Sequence, residues 1–118
     1  MLDVAAMRNW GERHAPEVRV PIDTRYVDRL FARGAVSEEK VVAVLKAQKF
    51  KPVLLCQDIK ADGNEIVDGN HTYVALAWAW AAAVEDGKAP EGVLPSAPGL
   101  LFQPADWGQF VIPASRLK

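Results

Sequence analysis

A single cysteine, Cys56, and only two histidines, His14 and His71, occur in the 118 residues. One thiol closes no intramolecular disulfide and builds no thiolate zinc site, and two histidines exclude a histidine-rich metal-nuclease centre. No GxxxxGK phosphate loop is present, and no Ser, His and Asp set stands out as a hydrolase triad. Long apolar runs are also missing. The longest, Tyr73 to Val84, falls short of the ~20 residues that span a bilayer. The opening stretch, MLDVAAMRNWGERH, has an acid at position 3 and charges throughout, unlike the basic and then continuously apolar start of a secretory leader. Together these scarcities lead to the expectation of a cytoplasmic protein without membrane contact.

What is present has the balance of an ordinary globular domain: half the residues are hydrophobic and a quarter are charged. The length fits one domain over 1–118 with a single core. We expect that core in about 18–84, with 85–118 as a C-terminal extension. A net charge of −1 argues against a protein that coats nucleic acid by bulk electrostatics. The charge is unevenly spread. Residues 1–60 hold 11 Lys/Arg against 8 Asp/Glu, and residues 61–118 hold 3 against 7, so a basic face is open only to the first half.

Local patterns predict a succession of short elements. Met7, Trp10 and His14 recur at helical spacing after Asp3, an N-cap residue. VRVPI (18–22) reads as a strand, and its Pro21 marks a sheet edge or a strand end. A helix follows Asp23, with Val27, Leu30 and Phe31 on one side and Gly34 as its stop. Ser37 opens the clearest amphipathic helix, over 37–48, with Glu38 and Glu39 first and Lys46 and Lys49 near its end. Its inward line is Val41, Val44, Leu45 and Gln48, widened by Val42. Pro52 ends it. Val53 to Cys56 then has the composition of a buried strand, 60–64 reads as a loop, and 65–68 returns as the second arm of a hairpin. A helix from Asn70 to about Val84 is apolar on most faces and is expected to be central. EDGKAPEGVLPSAPG (85–99) reads as a loop, and 100–113 as one or two short strands around PADW, anchored by Trp107 and Phe110. The fold class is α/β (α+β), a small mixed sheet with packed helices, in which helix 37–48 joins strands able to lie parallel.

The turn VDGNH (67–71) carries the chemistry. A glycine between strand and helix allows close approach to the backbone, and the first amides of the helix have no intrahelical partner, which suits an anion such as phosphate. His71 would stand in the first turn as a phosphate contact, Thr72 would add a hydroxyl, and Asp68 could hold Mg²⁺. On this expectation a Gly69→Val replacement blocks binding and spares the fold. The same residues also admit a purely structural turn with Asn70 as N-cap. Cys56 reads as a small buried hydrophobe, and the tryptophans as core.

The segment SEEKVVAVLKAQKFKPVLLCQDIKADGNEIVDGNHTYVALAWA (37–79) resembles the ParB/sulfiredoxin-like superfamily. There a helix ends before a Pro-apolar strand, a hairpin follows, and a (V/I)-D-G-x-H-R-x-x-A turn opens the next helix. VRVPID (18–23) resembles the family's first strand. The resemblance implies a nucleotide- or nucleic-acid-binding domain that uses Gly69, Asn70, His71 and Thr72, with Asp68 and His71 in catalytic positions and Mg²⁺ with ATP or CTP as cofactors. Asp68, Gly69, His71 and Ala75 match the pattern. Asn70 lies where sulfiredoxins carry their catalytic cysteine, which argues against sulfinic-acid reduction. Thr72 replaces the family's phosphate-gripping arginine, a loss of a planar cation with several donors. Arg25 is the nearest expected substitute.

Two functions follow. The first is a domain binding a nucleoside triphosphate or DNA backbone, with weak phosphoester hydrolysis through Mg²⁺ and His71. The second is a degenerate member without catalysis, acting as a protein-interaction or regulatory module through the apolar outer face of helix 70–84 or the 85–99 loop, with another protein or a homo-oligomer as partner. A specific DNA-binding regulator has less behind it, since no helix-turn-helix or basic recognition helix stands out.

Overall fold

The computed structural model describes residues 2–60, 63–89 and 95–112. Helix α1 spans Val4–His14, strand β1 Glu17–Pro21, α2 Thr24–Ala32 and α3 Glu38–Ala47. The hairpin β2 (Val53–Lys60) and β3 (Gly63–Asp68) leads into α4 (Asn70–Glu85), then β4 (Ser96–Phe102), α5 (Pro104–Trp107) and a 3₁₀ turn at Gly108–Phe110. Side-chain caps start the first three helices: Asp3 accepts from the Ala6 N–H, Asp23 from Arg25, and Ser37 from Lys40. Gln48 closes α3 in the left-handed region, φ 53°.

The sheet is mixed, with order β1-β4-β2-β3. β4 runs antiparallel to β1 and parallel to β2, and β2 pairs antiparallel with β3. It is an α+β fold with helices on both faces. On one face Val20, Val53, Ile66 and Ala97 pack with Val27, Leu30, Val41, Tyr73, Val74 and Ala75 of α2, α3 and α4. On the other, Leu54, Cys56, Leu100 and Phe102 pack with Met7, and Leu2, Trp10, Trp107 and Phe110 close the edge. Alternate residues of β2 therefore serve opposite cores, as the two-residue period of a strand requires.

Several expectations are corrected by this arrangement. Residues 96–99, read as loop, are the start of a central strand, and 100–112 hold the rest of that strand followed by helical turns, while 113 lies outside the described residues. β4 puts Ala97, Leu100 and Phe102 in the core, and α1 adds fully buried Met7, so the core extends well outside 18–84. The strand parallel to β2 is β4, reached through β3 and α4; β1 is not paired with β2. Pro98 is tolerated because β4 meets β2 only from Gly99 onward, which leaves its missing N–H without a neighbouring strand. Gly99 is demanded by crowding: a Cβ there would lie 2.7 Å from a Val20 methyl. The hairpin is longer than expected, taking in 57–60 and 63–64; residues 61–62 lie outside the described residues, as do 90–94 of the expected loop. Val42 faces outward, 39% exposed. In α4 only Tyr73, Val74 and Ala75 are buried, and Val84 near its end is 55% exposed.

Candidate functional site

Asp68 ends β3, and the next residue turns the chain into α4. Gly69 has φ 95° and ψ 16°, a left-handed conformation that suits glycine. A Cβ at this position would meet the Val53 Cγ1 at 2.9 Å and its Cα at 3.0 Å. Glycine is therefore required by the turn and by the passage of β2 behind it. Gly69→Val would disturb the fold, contrary to expectation. Gly69 is also the N-cap of α4, and no side chain caps this helix, unlike the other three long helices. Asn70 is not the cap: its Oδ1 accepts from the Tyr26 hydroxyl at 3.4 Å, tying the turn to α2.

A cavity of about 360 Å³ opens beside this helix start, lined by Arg8, Lys49, Lys51, Asp68, Gly69, His71 and Thr72. Four of the residues singled out in the sequence thus come together: Asp68, Gly69, His71 and Thr72. Arg25 does not join them. It sits on α2, 88% exposed, with its Nε 3.6 Å from Asp23. The three cations were not anticipated as a group. Lys49 and Lys51 arrive on the connection between α3 and β2, and their signal in the sequence was the alternation Lys49-Phe50-Lys51 before Pro52. Arg8 comes from α1, sixty positions from Asp68, and nothing local marks it.

Arg8 donates from Nε (3.1 Å) and Nη2 (2.8 Å) to a single oxygen, Oδ2 of Asp68. The arginine side chain is 18% exposed and the aspartate 39%. Nη1 of the same guanidinium is buried and has no hydrogen-bond partner among the described residues. His71 is held by Nε2, which accepts from the Ser37 N–H at 3.3 Å. That contact needs an unprotonated Nε2. Burial, then the positive charge of Lys40, pushes the His71 pKa below its ordinary value, so the imidazole is neutral near pH 7. Among the described residues, three cations against one carboxylate leave the cavity two positive charges in excess.

Mg²⁺ does not fit these residues. Among the described residues Asp68 is the only carboxylate lining the cavity, it is occupied by a guanidinium, and no group of three or more His, Cys, Asp or Glu able to hold a metal exists. Nor does His71 offer Nε2 for proton donation while Ser37 holds it. Elsewhere, the Cys56 thiol is buried, which with the nearby Glu65 charge pushes its pKa up to about 11; it is inert packing. The Tyr73 hydroxyl accepts from the Asp23 N–H at 2.6 Å and donates to the Pro21 carbonyl at 2.9 Å, anchoring α4 to the end of β1.

No family model matches the chain, and neither the curated proteins nor the solved structures include a match.

Proposed function

We infer that the chain binds a phosphate-bearing ligand in the cavity between α1, the α3–β2 connection and the first turn of α4. The observation that carries this reading is the convergence of Arg8, Lys49 and Lys51 on a helix start that no side chain caps. Open first-turn amides and a local excess of positive charge both favour an anion. The likeness of 37–79 to the ParB/sulfiredoxin-like superfamily supports the same class, a nucleoside triphosphate or a DNA backbone. Arg8 supplies the guanidinium that Thr72 lacks, from another element. The engagement of Asp68 and His71 with Arg8 and Ser37 favours binding over hydrolysis.

Calorimetric titration with inorganic phosphate, ATP and CTP tests this, with a parallel gel assay for salt-dependent DNA retention. Removing both lysines, Lys49→Ala with Lys51→Ala, is expected to weaken binding by roughly tenfold or more, since each exposed charge contributes on the order of 1 kcal/mol at low salt. No binding to any of these probes would remove the reading.

A second reading, an interaction module, has its own observation. An apolar groove of about 240 Å³ runs along α4 between Ile22, Leu76, Trp80, Ala83 and Pro95, and exposed Val84 continues α4 beyond it. Concentration-dependent light scattering would reveal self-association through this face.

A further inference from the structure

The Arg8–Asp68 contact is incomplete from both sides. Both bonded nitrogens of Arg8 meet the same oxygen, Oδ2, while Nη1 has no partner among the described residues. A guanidinium has five N–H donors in a flat fork, suited to an anion with several oxygens in reach. Asp68 offers one negative charge, and at 39% exposure its carboxylate is readily taken back by water. A phosphate group near neutral pH brings up to two charges and three acceptor oxygens.

We propose that Asp68 is a built-in competitor for the site's arginine: it holds Arg8 until a ligand phosphate takes the guanidinium over, and no divalent cation bridges the two. This rests on the phosphate-binding reading above and deepens it. In the free protein Asp68 cancels one of the three cavity cations and keeps the guanidinium of a four-fifths-buried arginine side chain paired. With the ligand bound, Arg8 moves onto phosphate oxygens, the unanswered N–H gains an acceptor, and Asp68 is left to solvent. Its remaining negative charge then opposes the ligand.

The consequence has a definite sign. Asp68→Asn removes that charge yet leaves an amide oxygen able to accept from Arg8, so the arginine stays in place and the anion binds more tightly. A carboxylate that held Mg²⁺ for the ligand would give the reverse, because its loss would release the metal and the phosphates with it.

The test is titration of wild type, Asp68→Asn and Arg8→Ala with inorganic phosphate and with ATP, in EDTA and in excess Mg²⁺. Thermal melts of each variant establish that it is folded at the titration temperature. Competition predicts that Asp68→Asn binds on the order of three- to tenfold tighter than wild type, the scale of one nearby charge in a wet site. It also predicts that wild type binds ATP in EDTA at least as well as in Mg²⁺, a comparison that needs no variant, and that Arg8→Ala loses most of the affinity. Weaker binding by Asp68→Asn, or a requirement for Mg²⁺ in wild type, overturns the proposal while leaving phosphate binding intact. If neither wild type nor Asp68→Asn binds either probe, the phosphate reading itself falls, and this proposal with it.

Discussion

His71 does different work from that expected of a histidine at a phosphate turn. Its Nε2 accepts from the Ser37 N–H, which joins the start of α3 to the start of α4. Its pKa in the folded chain lies below the ordinary value of 6.5, first because of burial and then because of Lys40. The unfolded chain therefore takes up the proton more readily. Stability from this contact is fully present above about pH 6.5 and falls as pH drops through that value toward the lower folded pKa. Urea midpoints measured from pH 7.5 down to about 5.5 should decline in wild type, and less so in His71→Gln, whose amide oxygen can still accept from Ser37. An equal decline in both would remove His71 as the cause. Gly69 belongs to the same scale. With φ 95° and Val53 2.9 Å from any Cβ, even Gly69→Ala is expected to lower stability by about 1–3 kcal/mol, seen as a lower urea midpoint at unchanged slope.

Among the elements, helices were the most legible. Asp3 caps its helix as expected, and Asp23 and Ser37, read as the points where helices begin, prove to be caps too, because capping depends on residues within one turn. Ser37→Ala should therefore lower stability by about 1 kcal/mol, read from the urea midpoint. α4 was harder. Its composition offers almost no polar face, so periodicity could not say which side turns inward, and only tertiary packing selects Tyr73, Val74 and Ala75. β4 was misread for a related reason. Pro98 and Gly99 are turn residues by local rules, yet here one lies where the second neighbour strand has not begun, and the other lets Val20 pack close. Neither circumstance is visible within a short window of sequence.

At the scale of the whole molecule, the two faces of the sheet depend on distant segments. Met7 and Phe102, both fully buried, join the N- and C-terminal regions in one core with Leu54 and Cys56 of β2. Phe102→Ala should destabilise by about 3–5 kcal/mol, measured by chemical denaturation, and should also loosen α1 and with it Arg8. The α+β class, the turn at 67–71 and most helix boundaries were determined by the sequence alone, because period, caps and breakers act over a few residues. Tertiary structure alone decided that β4 lies in the middle of the sheet and that Arg8, Lys49 and Lys51 share a cavity with Asp68 and His71. Strand order and charge convergence arise from packing between segments tens of residues apart, and no local preference encodes them.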